Sequence, residues 1–278
     1  MPRIQLRNHF EMNYEIVENC MDLDTLFIHG NLASNTWFYP SAEILKSTAG
    51  AGAAKHGRMI MAEWRGCGKS SAPSSEAELD MKNLAQDYLD FCEKLAIKKV
   101  NVVGHSSGGI IALIAMALKP SLFAKAFLLD PVVATGVQFE QASYDAFTAM
   151  SKDRAICEEV MASTIHKVDR SNSLFKKIVN DTFQVSPLSW HGVPHALQDL
   201  DVREMLKSIS HPIMIVHGEF DPILPIQGSR DLAASLKNAK FVEAKGHGHS
   251  LNVEDPKMFV NLLNDFFGEE ALKLKGLA

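Results

Sequence analysis

No stretch of this sequence approaches the roughly 18 consecutive apolar residues that a membrane-crossing helix requires. The first residues, Met1 to Asn8, lack the apolar core of a secretory signal. Basic residues are outnumbered. The 28 Lys and Arg face 33 Asp and Glu, a formal net charge of −5, so there is no positive field to hold nucleic acid or an anionic lipid surface. The expectation is no nucleic-acid partner, no membrane partner and a cytoplasmic location. Only four cysteines occur, Cys20, Cys67, Cys92 and Cys157, and none forms a CxxC or CxxxH pair that would frame a metal site. Packed thiols in a reducing compartment are the simpler reading, and the sequon Asn180-Asp181-Thr182 means little without a secretion signal. Repeats and low-complexity tracts are missing too, which sets aside solenoids and disordered scaffolds.

What is present is a chain of 278 residues, 46% hydrophobic, enough for one large α/β domain with a sizeable core. Short apolar runs alternate with amphipathic stretches. Residues 11–18, Thr25–Ile28, Met59–Ala62, Val100–Val103, Leu122–Leu129, Ile213–Val216 and Lys240–Ala244 read as strands. Helical spacing covers about 36–47, 81–97, 110–118, 226–236 and 256–267, the last opening on Pro256. This order predicts a mostly parallel central sheet with helices on both faces. Between Pro131 and His211 no β-branched run occurs, and helical patterns recur around Phe139–Met150, Ala155–His166 and Leu174–Val179. That interval is too long for a plain connection. The reading is a core of residues 1–131 and 211–278, with residues 132–210 inserted as a helical cap over the sheet's C-terminal edge, where α/β ligand sites lie.

The chemistry-bearing motif is Gly104-His105-Ser106-Ser107-Gly108, set directly between the 100–103 strand and the 110–118 helix. A sharp strand-to-helix turn strains its central residue, and glycines two residues either side remove the clashes. Such a turn lifts the Ser106 hydroxyl to the positive end of a helix. A serine hydroxyl needs a base, and the base needs an orienting acid. Asp221 follows the 213–216 strand and His249 follows the 240–244 strand, so both leave strand ends on the Ser106 edge. Rival residues exist. His247 competes as base and Asp130, after the preceding strand, as acid. His105 and His29 read as packing residues, and the pair His247-x-His249 has no third ligand at a telling spacing, so no metal is expected.

Four further segments resemble the α/β-hydrolase superfamily across roughly residues 20–268. His29-Gly30-Asn31 is similar to its oxyanion HGx segment, and Glu63-Trp64-Arg65-Gly66-Cys67-Gly68-Lys69-Ser70 to its DxRGxGxS loop, with Glu in place of Asp. Gly218 to Pro225 resembles its acid-bearing GxxDxxxP loop, and Gly248-His249 with Glu254 and Pro256 resembles its GHxxxxExP segment. The resemblance implies an oxyanion hole of the Asn31 and Ser107 backbone N–H groups, the triad Ser106, Asp221 and His249, and no cofactor. It implies a serine hydrolase of carboxylesterase type, cleaving esters of small or medium, mostly apolar molecules through an acyl-enzyme. Lactone, thioester or carbon–carbon bond hydrolysis and perhydrolysis use the same triad and stay open. A small-ligand receptor with slow hydrolysis is the alternative of another class. Haloalkane dehalogenases and epoxide hydrolases carry an acid where this chain has Ser106. In the cap, Ser189 to His195 is expected to form a pocket edge, with Trp190 in the substrate pocket, because Gly192 and Pro194 bracket bulky side chains.

Overall fold

The computed structural model of the chain describes residues 2–48 and 55–274. Eight strands among these residues form one sheet: β1 (Arg3–Gln5), β2 (Glu11–Met21), β3 (Thr25–Ile28), β4 (Gly57–Ala62), β5 (Val100–His105), β6 (Phe123–Leu129), β7 (Ile213–Gly218) and β8 (Ala239–Ala244). Their spatial order is β1-β2-β4-β3-β5-β6-β7-β8. The β1–β2 and β2–β4 pairs are antiparallel, and every later pair is parallel. The short edge strand β1 had no signal in the sequence. The other seven stand where alternation (β2) and short strand patterns (the rest) predicted, with shifted ends.

Alternation along the strands divides the core in two. Leu26, Ile28, Val100, Val102, Ala126, Leu128, Ile213 and Ile215 face one side, where α2 (Met81–Lys94) and α3 (Ser107–Leu118) pack. Phe27, Met59, Met61, Val103, Phe127, Leu129, Met214 and Val216 face the other, against α1 (Tyr39–Thr48) and the C-terminal α11 (Pro256–Leu274). A period of two places helices on both faces of a parallel sheet. Residues with no polar partner on either face explain why these strands read as near-continuous apolar runs.

Five helices lie between β6 and β7: α4 (Gln141–Lys152), α5 (Arg154–Ser163), α6 (Ser173–Phe183), α7 (Ser189–Gln198) and α8 (Arg203–Leu206). Two more, α9 (Ile226–Ser235) and α10 (Leu251–Glu254), follow β7 and β8. Helix α7 departs from expectation. The segment 189–195, expected as a pocket edge with Gly192 and Pro194 bracketing bulky side chains, is helical with Pro194 inside. Trp190, Val193 and Leu197, spaced i, i+3, i+7, are all buried, so packing of one face outweighs poor intrinsic propensity. No helix of the described residues is long and apolar enough to cross a membrane.

Candidate active site

Ser106 sits between the end of β5 and the first turn of α3 with φ 54° and ψ −122°, a left-handed conformation that a non-glycine residue holds only under surrounding constraint. That constraint is visible. The Ser106 N–H donates to the Leu129 carbonyl at 2.9 Å, and the Ser106 carbonyl accepts from Gly109 N at 2.9 Å and Val132 N at 3.1 Å. The flanking glycines are needed for closeness. A Cβ on Gly104 would stand 2.5 Å from the Gly108 oxygen, and one on Gly108 would stand 2.3 Å from the Ile28 oxygen. Although Ser106 occupies the N-cap position of α3, its side chain makes no cap hydrogen bond. A helix-capping role therefore does not account for it.

His249 lies in the loop between β8 and α10, buried, with Nδ1 2.7 Å from Asp221 Oδ2. A carboxylate can only accept here, so the proton is on Nδ1 and Nε2 is left bare, the tautomer a general base requires. Asp221 Oδ1 accepts from Ile223 N at 2.7 Å and Leu224 N at 3.1 Å. Burial pushes the Asp221 carboxyl up, but the contacts from His217 and His249 outweigh it and hold the group well below the usual carboxylate range.

Asp130, the rival acid, accepts instead from Gly218 N at 2.8 Å through Oδ1, and its Oδ2 has no partner. Full burial, and next the charge of Asp221, push its carboxyl well above the ordinary value. The rival base His247 points elsewhere: Nδ1 donates to the Lys245 carbonyl at 2.8 Å, and the ring borders a separate cavity beside residues 165–175. His105 donates from Nε2 to the His249 carbonyl at 2.8 Å, and burial pushes its imidazole down to about 3. His29 is buried against Trp64, at 4.7 Å between rings, and burial pushes it down to about 4. Both rings are neutral supports.

Ser106 and His249 open onto one cavity of about 400 Å³. Its core wall includes Asn31, Leu32, Trp37, Ser107 and Val132, with Pro222 to Leu224 of the acid loop. Helix α4 turns one stripe towards it (Ser143, Ala146, Phe147 and Met150), and α5 adds Val160 and Met161. None of the described residues lining this cavity is Asp, Glu, Lys or Arg. Trp190 is not among its walls. It is buried on the apolar face of α7, and Leu197 is the residue that this helix lends to the cavity. The expected place of Trp190 in the pocket is thus corrected: helix α7 carries it, and its ring packs the core.

The segment holding Asn31 continues into Leu32, which has φ 54°. Two residues of α6, invisible as site residues in the sequence, hold this segment. Thr182 Oγ1 donates to the Leu32 carbonyl at 2.7 Å, and Asp181 Oδ2 accepts from Ser34 Oγ at 2.8 Å and Thr36 Oγ1 at 2.5 Å. Glu254 fixes the loop that carries His249, taking Gly248 N at 2.7 Å, Ser250 N at 3.2 Å and His166 N at 2.9 Å. Glu63, which stands where the family pattern has Asp, is buried and accepts from Asn13 Nδ2, Asn35 N and Lys69 N at 2.8, 3.1 and 2.8 Å. It organises a turn away from the cavity.

Comparison with known proteins agrees with this geometry at the level of fold. A family model described as the alpha/beta hydrolase fold matches residues 26–256. A Pseudomonas savastanoi relative named for carbamate hydrolysis is 23% identical over 219 residues, covering 76% of this chain and 84% of that protein. The 3-oxoadipate enol-lactonase 1 of Acinetobacter baylyi is 24% identical over 214 residues, covering 75% of this chain and 78% of its own. The solved esterase of Exiguobacterium antarcticum superposes with a TM-score of 0.82 at 21% identity, covering 95% of this chain and 98% of that one. With the family pattern matched from β3 to the start of α11, this chain belongs to the alpha/beta hydrolase fold family.

Proposed function

We propose that this chain is a serine hydrolase that cleaves carboxylic esters of small or medium, uncharged and mostly apolar molecules through an acyl-enzyme on Ser106. One observation carries the reading. A left-handed Ser106 with no capping bond shares a cavity with His249, whose imidazole is held by Asp221 at 2.7 Å. In this reading Oγ attacks the ester carbonyl while His249 Nε2 takes its proton, and Asp221 stabilises the imidazolium. The N–H groups of Asn31 and Ser107, the latter at the positive end of α3, receive the oxyanion. The imidazolium then protonates the departing alcohol, and water repeats the sequence to free the acid.

The cavity wall supports the choice of substrate class. A buried substrate charge would meet no Asp, Glu, Lys or Arg counter-ion among the described lining residues, and an unpaired buried charge is strongly unfavourable. The enol-lactone of 3-oxoadipate keeps a free carboxylate, so the wall favours neutral esters over that relative's substrate. Helices α4 and α5 act in this reading as the cap that closes over the acyl group.

The test is hydrolysis of p-nitrophenyl esters by the purified chain. Multiple turnovers of neutral acyl groups are expected, with carboxylate-bearing acyl groups of equal length slower by about tenfold or more. Ser106→Ala should stay folded and lose turnover by about 10⁶ if the subtilisin scale applies. Near wild-type turnover by the folded variant sinks the proposal. Release of one product equivalent without further turnover would favour a ligand sensor.

A further inference from the structure

Asp221 is approached by two imidazoles, not one. Behind it, at the end of β7, His217 is fully buried with Nε2 3.2 Å from Asp221 Oδ2, the same oxygen that His249 Nδ1 meets at 2.7 Å. His217 Nε2 also lies 3.1 Å from the Leu224 carbonyl. Both neighbours of Nε2 are acceptors, so Nε2 carries a proton, which makes its hydrogen bond to the Leu224 carbonyl while Asp221 Oδ2 lies beside it at contact distance. On the other side of the ring, Nδ1 meets Ser229 Oγ at 2.8 Å. A hydroxyl can donate into a bare nitrogen, and a ring protonated at Nε2 alone satisfies every partner at once. Asp130 Oδ1 stands 3.7 Å from Nδ1 but is engaged by Gly218 N.

The contacts on Asp221 then come to two per oxygen. Ile223 N and Leu224 N occupy Oδ1, while His249 Nδ1 and His217 Nε2 occupy Oδ2. An ionised carboxylate offers about four lone-pair directions, so it can face all four of these neighbours at once. The backbone donors fix one oxygen only. Without His217 the oxygen that His249 depends on would be held by His249 alone, and the two could swing together. A buried ring whose two nitrogens are both matched also carries a desolvation cost that an apolar residue of the same size would avoid.

We propose that His217 is a positioning residue for the triad: its Nε2–H holds Asp221 Oδ2 from behind, so that the acid aims His249 at Ser106. The claim rests on the serine-hydrolase reading of the site and extends it to a fourth side chain, with Ser229 setting the tautomer of that ring. It distinguishes donors by where they reach. A glutamine amide at 217 can place its nitrogen near the Nε2 position. An asparagine amide reaches only the Nδ1 position, next to Ser229. Leucine fills the space and donates nothing.

The experiment reads the rate at which a fluorophosphonate labels Ser106, because that rate depends on the triad and not on the natural substrate. Ester kcat and KM are measured alongside on the same intact protein. Labelling and kcat should fall by about tenfold or more in His217→Leu, as for the loss of one buried hydrogen bond, with KM little changed. His217→Gln should recover to within about threefold of wild type, and His217→Asn should behave as His217→Leu. In an Asp221→Asn background, His217→Leu should add less than about twofold, since the residue acts through Asp221. If the leucine variant does not fold, the contrast between Gln and Asn decides. Equal labelling of wild type and variants, equal rates for Gln and Asn, or an undiminished effect in the Asp221→Asn background each overturns the proposal. Labelling without ester turnover overturns only the ester reading. A wild type that resists labelling removes the nucleophile and this inference together.

Discussion

Two aspartates leave the ends of neighbouring strands, and their environments push their carboxyls in opposite directions. Asp221 has its oxygens covered by donors and is held ionised, whereas burial, and next that negative charge, raise the Asp130 carboxyl. Asp221→Asn should therefore lower kcat severely, with about 10⁴ as the protease reference for an amide that favours the wrong tautomer. Asp130→Asn keeps an acceptor for Gly218 N and should stay within about tenfold of wild type. A swap of these two effects would move the acid to the β6 end. Stability separates them as well. Because the Asp130 value is raised on folding, the folded chain keeps a proton that the unfolded chain releases above about 3.9. Stability from this group is thus lost as pH rises from there towards its folded value. Relative to wild type, Asp130→Asn should gain stability as pH rises above about 4, read from urea midpoints at each pH. A constant difference would mean that Asp130 is ionised in the folded chain. The strand-end spacing made both aspartates visible in the sequence and made Ser106 and His249 visible with them. His217 was not legible, because a histidine inside an apolar strand run carries no pattern that distinguishes a carboxylate's partner from a packed ring.

At the scale of elements, short apolar runs located the parallel strands, since a buried parallel strand is little more than its apolar residues, while alternation located the antiparallel β2. Helix α4 was legible for a similar reason: Ser143, Ala146, Phe147 and Met150 repeat at helical spacing, and the stripe turns out to face the cavity. Helix α7 was not, because Gly192 and Pro194 argue against a helix locally and only tertiary contacts restore it. The consequence for specificity is direct. Trp190→Ala should cost about 3–5 kcal/mol of stability, as for a large core aromatic, and leave the preference among acyl lengths unchanged. Phe147→Ala, on the cavity-facing stripe, should shift that preference towards longer acyl groups with a smaller loss of stability. Urea unfolding and a p-nitrophenyl ester series from acetate upwards would read both. A preference that follows Trp190 and ignores Phe147 would contradict the cavity drawn here.

At the scale of the molecule, the helical segment between β6 and β7 does more than line the cavity, because it is bonded to both loops that the proposed reaction would use. Its Thr164 carbonyl accepts from Ser250 Oγ at 3.0 Å and its His166 N–H meets Glu254, which together tie it to the loop of His249. Its helix α6 holds the Asn31 segment through Thr182 and Asp181. These partners are 86 to 150 residues apart in the chain, which is why no local pattern announced them. The Leu32 backbone is left-handed, a conformation that costs of order 1–3 kcal/mol in a non-glycine residue unless its surroundings hold it. The Thr182 hydroxyl, buried and 2.7 Å from the Leu32 carbonyl, is one such hold. Thr182→Val keeps the shape and removes the donor, leaving that carbonyl unpaired at a cost of about 1–3 kcal/mol. If Asn31 contributes an oxyanion N–H, relaxation of Leu32 draws that N–H away from the position where charge develops. The variant should then lose about tenfold or more in kcat, with KM little changed, since the interaction exists only in the transition state. Affinity for a trifluoromethyl ketone, which mimics the tetrahedral state, should fall in parallel with kcat/KM, while affinity for the carboxylic acid product stays level. A lower melting temperature with kcat and ketone affinity both intact would reduce Thr182 to a packing residue and separate the helical segment from the oxyanion loop.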